Sequence, residues 1–370
     1  MPAKRKTEAV WMDAHGRWRV LVQAGGKRKA FYSSTPGRKG KIDAERKADK
    51  WLDDGACDDP KIETVWAAFL AETKATTGTA NYTNHESIGR NWLMQPKLKI
   101  KRVSTVTMQD WQDVLNAMHK AGKSKKYMQD ARGSMTALYN YARKNRIQME
   151  RPEFLTIPKG APVGERTILQ PDKLKTLFSV DWTTHYGRQM PAFFIHAWRF
   201  LVLTGLRRGE LCGLRAEDVA GPALDMHRAV NRFGETTNGK TDNACRRIVM
   251  TAHMLAVLDA QREMLKQAGI ISPWVFPDES GERLEGSHLY DKWATYRTQH
   301  DMACSLHELR HTMVSIVKSD VPDALLKSVV GHSKAMDTQG INEHPLEGDV
   351  ERATKPIDDV CTQFWIDAEI

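Results

Sequence analysis

The alternation of apolar and polar residues near the N-terminus predicts a small β-sheet. Residues 18–23 and 29–32 alternate with a period of two, which is typical of strands that bury one face. Gly25 and Gly26 lie between these runs and suit the two-residue turn of a hairpin. A short helix is predicted next, over residues 44–52.

From residue 62 to residue 147 the apolar positions recur three and four residues apart, which predicts a helical domain. The stripes expected to form its core are Val65, Trp66, Phe69 and Leu70; Trp111, Val114, Leu115 and Met118; and Met135, Leu138, Tyr139 and Ala142. Segments rich in acidic residues, Gly or Pro flank the domain at 53–60 and 151–168. Their composition indicates linkers.

The remaining chain mixes helical periodicity with short strand-like runs. Predicted helices begin at Pro171 and cover residues 193–203, 254–267, 288–299, 307–318, 323–330 and 357–368, and strand-like runs cover 225–230 and 246–250. The expected fold is therefore mainly α with small β-sheets, an α+β class. The predicted domains are a basic β-rich module (1–60), a helical domain (61–150), a linker (151–168) and a larger C-terminal domain (169–370).

Composition narrows the setting in which this chain works. No apolar run approaches the ~20 residues of a membrane span, and the basic N-terminus is not followed by the apolar segment of a signal peptide. The cysteines are scattered and never form a C-x-x-C pair: Cys57, Cys212, Cys245, Cys304 and Cys361. We therefore expect a cytoplasmic protein without disulfides, in which each cysteine fills the core.

The net charge of +9 lies in the N-terminal segment. Residues 1–50 contain 14 Lys and Arg against 5 Asp and Glu, and the rest of the chain contains 41 of each. A basic module on a neutral body indicates a polyanionic partner, because neutralised phosphates release counterions. A solubilising tail is the alternative. The expected DNA-binding residues are Arg17, Arg19, Lys27, Arg28 and Lys29 around the sheet, and Lys99, Lys101 and Lys125 in the helical domain.

Residues 306–312 admit two chemical interpretations. His307-Glu308-x-x-His311 fits the helix of a zinc metallopeptidase, with two histidines one turn apart and Glu308 as general base. Alternatively, His307 and Arg310 place an imidazole and a guanidinium on one helix face. That pair suits a substrate whose charge lies on a phosphate.

Other basic groups favour the phosphate. Arg207, Lys240, His307, Arg310 and His332 follow one another along the C-terminal domain, and together they match a phosphodiester. Arginines can neutralise the non-bridging oxygens of a pentacoordinate phosphorane, Lys240 can protonate a leaving 5′ oxygen, and the histidines can move protons or donate hydrogen bonds. No acidic cluster stands ready to hold magnesium, so the expected chemistry needs no metal.

Four stretches in this domain resemble the motif boxes of the tyrosine recombinases, the phage-type integrases. They are residues 204–211 with Leu214 and Asp218, Lys240-Thr241 ahead of residues 246–248, residues 306–312, and residues 330–333. The resemblance implies a tyrosine-recombinase catalytic domain preceded by core-binding and arm-binding domains. It also implies an enzyme that cuts and rejoins DNA through a 3′-phosphotyrosine. The resemblance further implies a homotetramer on double-stranded DNA attachment sites that needs no cofactor, with or without accessory DNA-bending proteins.

One position departs from the family pattern. The resemblance places the nucleophilic tyrosine nine or ten residues after His332, where this chain has Asn342. No tyrosine follows Tyr296, and a neutral amide is no nucleophile toward phosphate. Tyr290 and Tyr296 precede the second box and are expected to be core or surface aromatics. The chain is therefore predicted to be unable to cleave DNA.

Several hypotheses remain open at this stage. Asn342 is either an inactivating substitution in an integrase or the mark of a natural relative that only binds DNA. A single-strand-nicking topoisomerase would use a similar set of basic residues, although the basic N-terminal module favours an integrase. The zinc peptidase would leave Arg207 and Lys240 without a role.

Overall fold

The structure is a computed structural model that describes residues 7–24, 27–53, 59–237, 245–322, 326 and 349–365. The chain divides into two compact units, Met1–Gly164 and Glu165–Ile370. The boundary lies inside the segment predicted as a linker, and the finer division into three domains stays a prediction. The turn at Gly25 and Gly26 lies outside the described residues, and so does the helix predicted over 323–330, except for the buried, helical Leu326.

The N-terminal module is a three-stranded antiparallel sheet covered by one helix. Its strands are β1 (Val10–Met12), β2 (Arg17–Ala24) and β3 (Lys27–Ser33), in that order, and the helix is α1 (Gly37–Asp53). Alternation along β2 turns Val20 and Val22 toward α1, where they meet Ala44, Ala48 and Leu52. The other face of the sheet remains uncovered by this helix.

Helix α1 begins at Gly37, seven residues before the predicted start, so the predicted boundary was wrong. Glycines at 37 and 40 lower the helix propensity of its first turns and concealed them in the sequence. Gly40 is needed there because a Cβ at this position would lie 1.6 Å from the carbonyl oxygen of Thr35. Close approach to the preceding loop outweighs propensity.

The helical part of the first unit forms a core of its own. Its helices are α2 (Ile62–Thr76), α3 (Thr79–Ile88), α4 (Pro96–Lys99), α5 (Met108–Lys120) and α6 (Lys125–Lys144), and a π-helical turn (Gly89–Leu93) follows α3. The predicted stripes are confirmed as core except at Tyr139, which is half-buried and lies outside the core cluster. Leu70 is half-buried but packs against the core. Thr107 and Ser124 cap the starts of α5 and α6 with their side-chain oxygens.

The second unit surrounds one buried helix. Its elements are α7 (Pro171–Ser179), β4 (Trp182–His185), β5 (Arg188–Pro191), α8 (Ile195–Thr204), α9 (Arg208–Cys212), β6 (Val219–Ala220), β7 (Ala223–Met226), β8 (Ala229–Val230), β9 (Thr236–Thr237), β10 (Arg246–Val249), α10 (Ala252–Gln267), α11 (Gly286–Gln299), α12 (Glu308–Val317) and α13 (Asp349–Trp365). Helix α8 is almost wholly apolar, and all its residues except His196 are buried. The indole of Trp198 packs 5.3 Å from Trp293 and 4.9 Å from Tyr296, between ring centroids.

The strands of this unit form small antiparallel sheets at its surface. One sheet has the order β10-β7-β6, and two hairpins pair β4 with β5 and β8 with β9. The predicted α+β class is confirmed: helices dominate and the sheets are small. In the part of the chain that the structure describes, no helix is long and apolar enough to cross a membrane.

The last helix, α13, differs from the helix predicted over residues 357–368. It begins at Asp349, eight residues before the predicted start, and runs through Pro356. Ile357, Val360 and Cys361 are buried in the core of the second unit, so packing outweighs the local effect of the proline.

Not every cysteine is core filler. Cys212, Cys304 and Cys361 are buried as predicted, whereas Cys245 is exposed and Cys57 lies outside the described residues.

Candidate active site

Gly205 ends helix α8 and sets the direction of the chain into the first motif. Its φ of 64° lies in the left-handed region, which a side chain would oppose, and its amide donates to the carbonyl of Leu201. The chain then turns so that Leu206 is buried and Arg207 precedes the first turn of α9. The glycine of the motif is therefore a helix terminator that presents the arginine.

Glu210 is the buried carboxylate around which the arginines gather. It accepts from the backbone amide of Arg207 at 2.9 Å and from its Nη1 at 2.8 Å. The two Nη atoms of Arg246 donate to its two oxygens at 3.1 and 3.0 Å. Burial favours a raised pKa for Glu210, but the hydrogen bonds and charge of Arg246, with those of Arg207, outweigh it and hold the pKa below its usual value. Glu210 is thus ionised at neutral pH.

Arg310 approaches the same place from helix α12. It is only 4% exposed, and its Nη1 donates to the carbonyl of Gly205 at 2.6 Å. Burial, with the nearby charge of Arg207, lowers the pKa of Arg310 to about 10, so it remains charged at neutral pH. Among the described residues, these three guanidiniums and one carboxylate carry a formal charge of +2, which suits an anion.

His307 precedes helix α12 beside Arg310. Its ring lies edge-on to that of His311, with 5.1 Å between centroids. Burial lowers the pKa of His307, and the neighbouring charges of His311, Arg310, Arg166 and Arg207 lower it further. The imidazole is consequently neutral at neutral pH, and it can donate a hydrogen bond from one nitrogen while accepting at the other.

Glu308 fastens helix α12 to the start of the second unit. Its carboxylate accepts from the amide and hydroxyl of Thr167, at 3.0 and 3.2 Å, and from the amide of Ser305 at 2.5 Å. One turn later, the amide of Leu169 donates to the hydroxyl of Thr312 at 3.0 Å. Residues 167–169 thus form a strap along the helix that carries His307 and Arg310, and Glu308 serves to hold it.

The structure brings together part of the predicted set. Arg207, His307 and Arg310 converge on one site, whereas Lys240, His332 and Asn342 lie outside the described residues. Of the two late tyrosines, Tyr290 is partly exposed on α11, and Tyr296 is buried with its hydroxyl donating to the carbonyl of Val180 at 2.7 Å. Burial raises the pKa of Tyr296, which removes it further from a nucleophile's role.

Arg246 is a site residue that the sequence interpretation missed. It was included in a strand-like run and in the stretch after the hairpin lysine but was given no role, yet it shares its strand face with the buried Ile248 and, two residues further, with Met250. An arginine in phase with two apolar residues points inward, and a buried arginine needs an anionic partner. This periodicity was the available signal, and Glu210 in the first motif was the available partner.

The expected DNA-binding residues of the sheet are divided between its faces. Arg19 and Arg28 are exposed on the face away from α1, where the guanidinium of Arg17 stacks 4.3 Å from the ring centre of Tyr32. The prediction grouped Lys29 with them, but its register partner is the buried Val22, and its ammonium extends over the rings of Phe31 and Trp51 on the other face. The side chain of Lys27 lies outside the described residues.

The lysines of the helical domain differ in their surroundings. Lys125 is exposed at the start of α6, and Lys99 is half-buried at the end of α4. Lys101 forms an ion pair with Asp110 at 2.5 Å, so its charge is already matched within the domain.

The chain is similar to proteins that act on DNA. Residues 169–344 match the phage integrase family. A tyrosine recombinase XerC-like protein of Caldanaerobacter subterraneus subsp. tengcongensis is 22% identical, over 93% of this chain and 96% of that protein.

Solved structures share the fold. The Tn1549 transposon integrase in complex with transposon right end DNA gives a TM-score of 0.64 at 18% identity, covering 79% of this chain and 98% of that one. A lambda integrase tetramer bound to a Holliday junction gives 0.58 at 14% identity, covering 92% and 99%. The segment from residue 169 to residue 344 is thus similar to the phage integrase family, and the chain shares the fold of the solved integrases.

Proposed function

We propose that this chain binds DNA attachment sites as a site-specific recombinase does, and holds the scissile phosphate without cleaving it. The observation that carries the proposal is the excess positive charge around Glu210, where Arg207, Arg246 and Arg310 meet beside a neutral His307. We call this group the phosphate site.

The phosphate site suits the transition state of phosphoryl transfer. Two guanidiniums can stabilise the non-bridging oxygens as charge develops, and the buried surroundings make each interaction stronger than it would be in water. Neutral His307 can donate a hydrogen bond to one oxygen or relay a proton. Lys240 and His332 are proposed to complete the set, with Lys240 protonating the leaving 5′ oxygen.

Asn342 is the basis for the proposed loss of cleavage. Its amide cannot attack phosphorus, and no tyrosine follows Tyr296 in the sequence. Buried Tyr296, whose hydroxyl is bonded to Val180, offers no substitute. A DNA-binding-only relative and an inactivated integrase both fit this proposal, and both would assemble as homotetramers on DNA, with or without accessory DNA-bending proteins.

A zinc peptidase receives less support from the contacts of Glu308. A general base must reach a metal-bound water, whereas the carboxylate of Glu308 accepts from Thr167 and Ser305. Among the described residues, no three His, Cys, Asp or Glu side chains are grouped so that they could hold a metal ion. Metal analysis of the purified chain separates this alternative from the proposal.

The phosphate site is tested by neutralising one DNA phosphate at a time. The full chain would select a duplex from a random-sequence pool, and each phosphate of that duplex would then be replaced by a neutral methylphosphonate. We expect one position for each bound subunit at which the loss of affinity reaches about tenfold, because a charge-assisted hydrogen bond contributes roughly 1.5–3 kcal/mol. Equal, small losses at every position would contradict the proposal.

The exposed face of the N-terminal sheet is proposed to contact a second stretch of DNA. Arg19 and Arg28 project from this face beside Tyr32, and a sheet of this width can enter a major groove. Helix α1 covers the opposite face, so only one side of the sheet is available for such a contact.

The double variant Arg19→Gln/Arg28→Gln is expected to reduce the salt dependence of DNA binding. Each lost phosphate contact should lower the slope of log K against log salt by about 0.9, so the double variant should lose about 1.8. Arg38→Gln/Lys39→Gln is the matched control, because it removes the same charge from exposed positions on α1. Equal slopes for the two double variants would show that net charge, and not this face, determines binding.

A further inference from the structure

Arg246 belongs to the phosphate site by contact, although the sequence resemblance gave it no role. It is the first residue of β10, whose pairing with Met226 of β7 fixes the position of its backbone. Its side chain is 7% exposed and donates through both Nη atoms to the two oxygens of Glu210. This is the bidentate geometry that gives the strongest arginine–carboxylate pairing.

The contact of Arg207 with the same carboxylate is of a different kind. One Nη atom of Arg207 donates to one oxygen of Glu210, and its side chain is 43% exposed. Glu210 therefore orients Arg207, but its negative charge also lies next to the positive charge of Arg207. A carboxylate that was not otherwise neutralised would compete with a DNA phosphate for that charge.

We propose that Arg246 is a positioning residue that neutralises Glu210, so that the charge of Arg207 remains available to the scissile phosphate. The proposal rests on the proposed function of the phosphate site. Glu210 holds Arg207 in place, and the positive charge of Arg246 neutralises the negative charge that Glu210 brings to the site. Arg246 contacts Glu210 and is not itself assigned to the DNA.

The formal charge of the site predicts how substitutions at Arg246 and Glu210 should combine. Arg207, Arg246, Arg310 and Glu210 together carry +2. Arg246→Gln lowers this to +1, and the further change Glu210→Gln returns it to +2. If Arg246 acts through charge, the second change should therefore restore what the first removes. If Arg246 only supports the fold, removing a second buried partner should not help.

The experiment measures how much the full chain's affinity depends on the one phosphate identified by methylphosphonate replacement. The readout is the ratio of Kd for the methylphosphonate duplex to Kd for the unmodified duplex. Arg246→Gln should reduce this ratio by about tenfold, toward one. The carboxylate of Glu210 would then be left without Arg246, and a buried negative charge a few ångströms from Arg207 weakens its attraction for phosphate by about that factor. Arg246→Gln/Glu210→Gln should recover most of it. Arg247→Gln is the control, since this neighbour is 62% exposed and lies beside Asp225.

Each outcome supports or overturns the proposal. A ratio in Arg246→Gln equal to that of the unmodified chain, or a double variant as low as the single one, would overturn it. If Arg246→Gln does not fold, Arg246→Lys is measured in its place, because lysine keeps the positive charge but lacks the two parallel donors of arginine. A Kd ratio close to one in Arg246→Lys would also overturn the proposal. An unmodified chain with no selective phosphate would instead refute the phosphate site itself.

Discussion

No covalent protein–DNA adduct is expected when this chain meets a suicide duplex carrying a nick near the cleavage position. The phosphate site can stabilise the transition state, but residue 342, where we propose the nucleophile position to be, is an asparagine. Water would be the remaining nucleophile, and attack by water would leave no protein covalently bound to the DNA. The measurement is a denaturing gel, in which a slowly migrating band would reveal an adduct.

Asn342→Tyr should restore the adduct. The variant supplies a phenolic oxygen, and the surrounding positive charge should help its deprotonation as it attacks. Asn342→Phe is the matched control, because it adds the ring without the hydroxyl. A band from the unmodified chain would refute the predicted loss of cleavage, and mapping it would identify the true nucleophile. An inert Asn342→Tyr that still bound DNA would favour a relative retained for binding alone.

Arg207→Ala and Arg310→Ala should each weaken binding at the cleavage site by about 1–3 kcal/mol, because each removes a charge-assisted contact to phosphate. The affinities would be measured at one fixed salt concentration, with circular dichroism to confirm folding. Arg310→Ala also leaves the carbonyl of Gly205 without the donor that Arg310 provides, so its melting temperature should be followed.

Arg262→Ala is the control for these two variants. Arg262 is exposed on α10 and paired with Asp259, away from the motifs. A loss of affinity as large in Arg262→Ala as in the other two would show that net charge alone governs binding. Unchanged affinity in both Arg207→Ala and Arg310→Ala would contradict the proposal that these two residues contact the scissile phosphate.

The sequence was informative where one local rule dominated. Trp111, Leu115 and Met118 recur at helical spacing and are buried, because packing follows periodicity in an amphipathic helix. Gly205 and Arg207 likewise predict the end of a helix followed by a cation, and the side chain of Arg207 is 43% exposed. The motif residues Arg207, His307 and Arg310 were identified from the sequence, and the structure places them in one site.

Sequence reasoning failed where contacts distant in the chain decide the outcome. Helix α1 begins at Gly37 because Gly40 fits against Thr35, which no propensity scale records. Lys29 belongs to a basic run, yet strand register turns it toward Trp51. Arg246 became a site residue only when β10 brought it to Glu210, 36 positions earlier. Charge counted along the chain does not reveal which charges meet.

The strap formed by residues 167–169 determines when the site can exist during synthesis. Thr167 and Glu308 are 141 positions apart, and Arg310 and Gly205 are 105 apart. Contacts of such separation form late, whereas the first unit ends at Gly164 and closes its own cores. At ~5–20 residues per second, the ribosome needs roughly 7–30 seconds to advance from residue 164 to residue 312. A nascent chain can therefore fold its basic sheet well before its arginines have assembled around Glu210.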